Sequence, residues 1–205
     1  MINKVSQGVY SIAKNTCLFR ELSFVKLAMS DDDTRPFMIC VHVESTDTTK
    51  YFIATDGRRL HLIHYGVNEP VVAVVADGDY SIKADKDGLM LITKPDNGIF
   101  PNWRKVMPEG YTKHFMLSVG ELKSKHDKSY GMAKVHYKLA KLADVCVQAE
   151  YVQALGGESD WHVWFGERNR ALVFKTGNKI ALIMPMGFDD DELPAVTELA
   201  MELGI

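Results

Sequence analysis

Leu18, Leu22, Val25 and Met29 recur at steps of four, three and four, which places them on one face of a helix. Asn15 or Thr16 stands where a cap for its first turn belongs, Arg20 and Lys26 fall on the other face, and Asp31-Asp32-Asp33 closes it as a polar loop. From Phe37 the period changes to two: Phe37, Ile39, Val41 and Val43 alternate as strand positions do. Residues 51–55 and 60–63 predict two more strands about the turn dipeptide Asp56-Gly57, and 71–75 is a β-branched run of the same kind. Residues 80–83 and 89–92 flank Asp87-Gly88, a hairpin signal, and 8–12 reads as a short strand. Residues 15–98 therefore predict one helix followed by an antiparallel meander, with Pro95-Asp96-Asn97-Gly98 as the boundary.

The second half repeats this order with more helix. A short strand is expected at 115–117, a helix start at 119–128, and a strongly basic helix at 134–141. Residues 149–155 predict a short helix stopped by Gly156-Gly157. Strands are expected at 161–165, 171–175 and 179–184, the last two joined through Thr176-Gly177-Asn178. Leu193, Val196, Ala200 and Leu203 line one face of a final helix, with Asp189 to Glu192 at its N-terminal end, where the helix dipole favours negative charge.

Composition narrows the class. With 205 residues, 46% hydrophobic and 25% charged, the chain reads as an ordinary globular protein of one large or two smaller domains. No stretch reaches the roughly 18 apolar residues of a membrane helix, and the N-terminus lacks a signal-peptide core, so a cytoplasmic protein with no membrane partner is expected. Cys17, Cys40 and Cys146 are sparse and odd in number, as free thiols in a reducing compartment are. The net charge of −3 argues against a surface basic all over, yet leaves room for a local basic face.

Catalytic and metal chemistry find little support. Cys40 and His42 lie two apart, with His61 and His64 in a neighbouring strand, but at no standard zinc spacing. Asp31-Asp32-Asp33 and Asp189 to Glu192 could hold Mg²⁺, and equally are solvated acidic ends of helices. No nucleophile, base and orienting partner stand at a recognisable spacing, and no nucleotide-binding fingerprint occurs. A non-enzyme with no cofactor and no metal site is expected.

One stretch is unusual. Residues 122–141 carry Lys123, Lys125, Lys128, Lys134, Lys138 and Lys141 against the single Asp127. Such a run is either a solvated helix face or a surface that tracks DNA phosphates without reading bases.

Three strings carry a family resemblance. They are Ala54-Thr55-Asp56-Gly57-Arg58-Arg59-Leu60, then Phe100-Pro101-Asn102-Trp103-Arg104-Lys105-Val106-Met107-Pro108, then Ala181-Leu182-Ile183-Met184-Pro185-Met186. Singly they read as a turn, a proline-bounded linker and a last core strand. Together, in this order, they resemble the bacterial DNA polymerase III sliding clamp (β subunit), over roughly residues 15–188 and its middle and last domains only. Residues 149–155 resemble a helix of that last domain.

The resemblance implies an α+β fold of two clamp-type (processivity-fold) domains, antiparallel sheets with helices on one face. The first spans 1–98, the second 99–188, and an acidic helical tail covers 189–205. It implies a hydrophobic cleft for clamp-binding linear peptides of replicative or repair DNA polymerases and clamp loaders. Carried over position by position, the lining is Thr55, Gly57, Arg58, Arg59 and Leu60, then Pro101, Lys105 and Val106, then Leu182, Ile183, Met184, Pro185 and Met186. An apolar floor with cationic groups at its rim suits such peptides, and unbranched methionines adapt to varied ligands. The departures are plain. The family's first domain is absent, its second inner helix is missing as Val75 runs on through Asp77-Gly78-Asp79, and part of the second domain's sheet is lost. The expected function is a compact, non-catalytic processivity factor that binds such peptides and contacts or encircles double-stranded DNA, with a homotrimer supplying six domains. The alternative is a monomeric decoy or adaptor that sequesters clamp partners without encircling DNA.

Overall fold

The computed structural model describes residues 2–94, 98–118, 128–156, 159–167 and 170–186, with 128–134 and 137 described by backbone alone. Two compact units emerge. Unit 1 is Met1–Arg104 with Gly177–Ala181, and unit 2 is Lys105–Thr176 with Leu182–Ile205.

Unit 1 runs β1 (Ile2–Ser6), β2 (Val9–Ala13), α1 (Cys17–Lys26), β3 (Val41–Ser45), β4 (Thr49–Thr55), β5 (Arg59–Gly66), β6 (Gly78–Asp85) and β7 (Gly88–Thr93). Its sheet has the order β1-β2-β7-β6-β3-β4-β5, with the segment at the start of β11 (Lys179–Ile183) beside β5. Each pairing from β1 to β5 is antiparallel.

The helix α1 forms where its apolar spacing predicts. Thr16 caps it, its hydroxyl accepting from the Phe19 N–H at 3.2 Å. Leu18, Leu22 and Val25 are buried, and α1 packs on β4 and β5. Beyond the helix end, Ala28 rather than Met29 completes the buried stripe. Beneath α1, the fully buried His61 ring stacks on Phe24 at 4.2 Å and 5°. Its Nδ1 donates to the Phe24 carbonyl at 2.7 Å, while Nε2 finds no partner among the described residues. Burial pushes this imidazole down to about 4 from its ordinary 6.5, because a charged ring would lose its water.

Three expectations are corrected here. The strand predicted from Phe37 begins only at Val41: Pro36–Met38 is a 3₁₀ turn that Pro36 opens, since its ring presets φ and removes an N–H. Cys40 is consequently not on a strand; its thiol donates to the Phe37 carbonyl at 3.3 Å and is pushed up to about 12, first by burial and then by Asp79. The valines 71–75 are not a strand either. Val72 and Ala73 both bond back to the Glu69 carbonyl, and Val75 to that of Val72, a helical turn that buries Val72 and Val75 and exposes Val74. From Val75 the chain passes through Ala76 and Asp77 into β6 at Gly78, as expected.

The hairpin forms, with its turn at Lys86-Asp87, one residue before the expected Asp87-Gly88, and Asp85 opposite Gly88. Gly88 also pairs with Ala13 of β2, and a Cβ on it would run into the Ile12 carbonyl oxygen. Glycine is required here by close backbone approach.

Unit 2 contains β8 (Lys113–Leu117), α2 (Lys128–Ala143), α3 (Ala149–Gln153), β9 (Trp161–Phe165) and β10 (Leu172–Thr176), and takes up β11 at Leu182. Its strands run β10-β9-β8, antiparallel. Leu117, Trp161, Val163 and Phe174 are buried from the sheet, and Val135 and Leu139, four apart on α2, from the helix. Among the described residues no helix is long and apolar enough to cross a membrane. The helices expected at 119–127 and 189–205 lie outside the described residues.

Candidate peptide and nucleic-acid sites

The turn between β4 and β5 is built by Asp56. Its Oδ1 accepts the N–H groups of Arg58 and Arg59, both at 2.9 Å, and its Oδ2 takes the Arg59 Nε at 2.9 Å. Thr55 works from the other side, donating to the Arg59 carbonyl at 2.7 Å and accepting from Gly57 N–H at 3.1 Å. Gly57 sits at φ +88°, where a side chain would be strained. The two arginines thus differ. Arg59 is folded into the turn and half-buried, whereas Arg58 projects into solvent with its planar set of N–H donors. Leu60, two residues on from the exposed Arg58, is 3% exposed and belongs to the core.

The linker string divides at the boundary between the units. Its first half is bound to the face of β3 and β4, an arrangement that sequence reading missed. Trp103 is buried and donates its Nε1–H to Glu44 Oε1 at 2.8 Å. The same Glu44 oxygen pairs with the Arg104 guanidinium, which lies 4.4 Å from the Trp103 ring centre and 5.5 Å from that of Tyr51. Phe100 stacks on His42 at 4.6 Å and 5°, and His42 Nδ1 meets Asp79 Oδ1 at 2.7 Å. Pro101 lies half-buried within this segment. His42, a candidate zinc ligand by sequence, is thus occupied by two carboxylates and a ring, with Glu44 Oε2 at 3.5 Å from its Nε2.

In unit 2, Lys105 is exposed and Val106 is 55% exposed, an apolar side chain left in water. At the other end of the chain, Leu182 and Ile183 are enclosed in the core, while Met184 and Met186 stand 44% and 40% exposed. Pro185 lies between them, and the Met186 N–H is fixed to the Cys146 carbonyl at 2.8 Å. The exposed apolar members of the expected lining are therefore Val106, Met184 and Met186; contact with Leu60, Leu182 or Ile183 would require side chains to move.

The basic helix is α2. Lys128 and Lys134 are helical, whereas Lys123 and Lys125 lie outside the described residues. Lys138 is engaged already: its Nζ donates to the Met116 carbonyl of β8 at 2.8 Å and lies 5.7 Å from the Phe115 ring centre. Lys141 is exposed, one turn further on. A lysine charge count could not have revealed that one ammonium is spent on a backbone carbonyl. Among the described residues, no three His, Cys, Asp or Glu side chains group as metal ligands.

No family model matches the chain, and no curated protein matches it by sequence. Solved structures do match. The DNA polymerase III β subunit of Thermotoga maritima superposes with a TM-score of 0.63 at 12% identity, over 92% of this chain and 68% of that one. The DNA polymerase sliding clamp of Pseudomonas aeruginosa gives 0.62 at 15% identity, over 91% and 68%. The chain has the sliding-clamp fold. The Bacillus subtilis sliding clamp matches similarly, at 0.59 and 15% identity over 92% and 66%. Identities this low establish a common clamp architecture, antiparallel sheet with few helices, and nothing of its ligands. The resemblance read from the three strings is thus met by the clamp fold, and the match spans about two thirds of the length of those clamp chains.

Proposed function

We propose that the chain is a compact, non-catalytic sliding-clamp homologue of the cytoplasm that acts as a DNA replication and processivity factor. The observation that carries this reading is the clamp fold over 92% of the chain. The exposed Arg58 beside a rigid turn, and the exposed Val106, Met184 and Met186, support binding of linear peptides from polymerases or clamp loaders. Within unit 2, Val106, Met184 and Met186 offer the apolar contact that leucine and phenylalanine anchors need, and within unit 1 Arg58 offers a cation for peptide carbonyls or acidic flanks.

Contact with duplex DNA is part of the proposal and rests on the lysines of α2. Assembly into a ring is part of the proposal and is supported by the sheet edges. β1 ends the strand order of unit 1 and β8 that of unit 2. A head-to-tail pairing of β8 on one copy with β1 on the next leaves no free edge once a ring closes, and three copies supply six domains.

Calorimetry with a glutamine–leucine–hydrophobic–phenylalanine peptide tests the reading. Micromolar binding, about −8 kcal/mol, is expected. No heat up to millimolar peptide would overturn it. Light scattering with and without circular DNA then separates a ring from a monomeric decoy: a mass that stays at one copy in both conditions favours the decoy.

A further inference from the structure

The sheet of unit 2 has two unlike faces. Leu117, Val163, Trp161, Leu172 and Phe174 fill the covered one. Register defines the other. His114 lies across from Trp164, which lies across from Val173; Met116 lies across from His162, which lies across from Lys175. On this second face His114, Met116, His162 and Lys175 are exposed, and Trp164 and Val173 are half-exposed.

A tryptophan on the solvent side of a sheet is costly in water, and here it is not alone. The His114 and His162 rings flank it, at 6.1 Å and 5.6 Å between centres. Among the described residues neither imidazole makes a hydrogen bond or ion pair. The three rings form one continuous aromatic cluster, with Trp164 half-exposed between two exposed histidines.

Charge decides what the platform suits. The second face of β8, β9 and β10 carries Lys175 and two histidines and no carboxylate, whereas Lys113 falls by register with Phe115 and Leu117 on the covered face. In a chain with a net charge of −3, that is a local reversal of sign. Among the described residues that flank these strands, Asp160 and Glu167 stand just beyond the strand ends, the latter 4.0 Å from Arg170. Rings beside a lysine on an open surface are the elements of single-stranded nucleic-acid recognition. Bases stack on the rings whatever their sequence, and an ammonium group holds the backbone. A duplex keeps its base faces inside and cannot use such rings. An acidic peptide would satisfy the lysine and leave the rings without a planar partner.

We infer that this face of unit 2 is a binding platform for single-stranded nucleic acid, with Trp164 as the central stacking residue and Lys175 as a phosphate contact. The platform is separate from the proposed peptide site and from the lysines of α2, and the inference does not depend on either.

Fluorescence anisotropy of the full chain with labelled oligo-dT tests it, with a duplex of equal length as competitor. Salt-dependent binding is expected, with the duplex competing poorly. Trp164→Ala and Lys175→Glu are each expected to weaken oligo-dT about tenfold or more, the size that loss of one base stack gives. Trp164→Phe, which keeps a ring, is expected to retain most of the binding, and this variant guards against a folding defect. Replacing Lys134 and Lys141 by Glu, with Lys138 kept on its Met116 carbonyl, is expected to lower duplex binding and leave oligo-dT unchanged. Absence of oligo-dT binding overturns the inference, as does equal binding by Trp164→Ala in a folded protein. A change of oligomeric mass in Trp164→Ala with unaltered oligo-dT binding overturns it too, and assigns the face to contact between copies.

Discussion

The Nε of Arg59 lies 2.9 Å from Oδ2 of Asp56, inside the turn both residues build. One arginine of the Arg58-Arg59 pair is therefore structural and the other is presented to solvent. Asp56→Ala removes the acceptor of two backbone N–H groups and one ion pair, so a loss of about 1–3 kcal/mol in urea unfolding is expected. Arg58→Ala is expected to stay within about 0.5 kcal/mol of wild type in stability, as exposed positions do, while weakening peptide binding. Equal loss of stability in both variants would contradict this division.

The methionines allow a cleaner test than their neighbours. Leu182 is 3% exposed, so Leu182→Ala opens a core cavity, and about 2–5 kcal/mol of stability would confound any binding measurement. Met184→Ala and Met186→Ala act on exposed side chains. Each is expected to leave the melting temperature nearly unchanged and to weaken the peptide by roughly 1–2 kcal/mol in calorimetry.

Trp103 and Glu44 hold the first half of the linker on β3 and β4. Trp103→Ala deletes a buried ring and its hydrogen bond to Glu44, whose oxygen keeps the Arg104 guanidinium, and about 3–5 kcal/mol is the expected cost in denaturant unfolding. Trp103→Phe keeps most of the packing and loses the hydrogen bond, so a smaller loss, about 1–2 kcal/mol, is expected. Similar losses in the two variants would show that the hydrogen bond, and not the burial, dominates.

His61 makes stability depend on pH. Its folded value is held down to about 4 against 6.5 when unfolded, so between these values the unfolded chain takes up a proton that the folded chain refuses. The contribution is complete above pH 6.5 and is lost as pH falls towards 4, by about 3 kcal/mol. His61→Gln removes the titration. The gap in unfolding free energy between wild type and variant is expected to shrink from pH 7.5 to pH 4.5, and a gap independent of pH would refute the assignment.

Much of the fold was legible because local period and packing agree. The α1 stripe and the 80–92 hairpin are each set by spacing and turn residues close in sequence. β1 was not legible, since only Ile2 of its five residues is buried and no alternation marks it. The valines 71–75 misled because β-branching reads as strand, although Val72 and Val75 are three apart, a helical step, and both are buried. The site was legible as three strings and not as an arrangement. Nothing near Trp103 in sequence names Glu44 as its acceptor, and nothing near Lys138 names the Met116 carbonyl. Such partners come from strands distant along the chain, where residue type alone carries no address.

Gly88 has a consequence for how this sequence can drift. Because the Ile12 carbonyl oxygen occupies the space of a Cβ there, every codon that replaces this glycine must displace β2 from β7. Its neighbours Lys86 and Asp87 face water and carry no such demand. Over long divergence the hairpin can exchange almost all of its surface letters and still close, provided that this one position stays without a side chain.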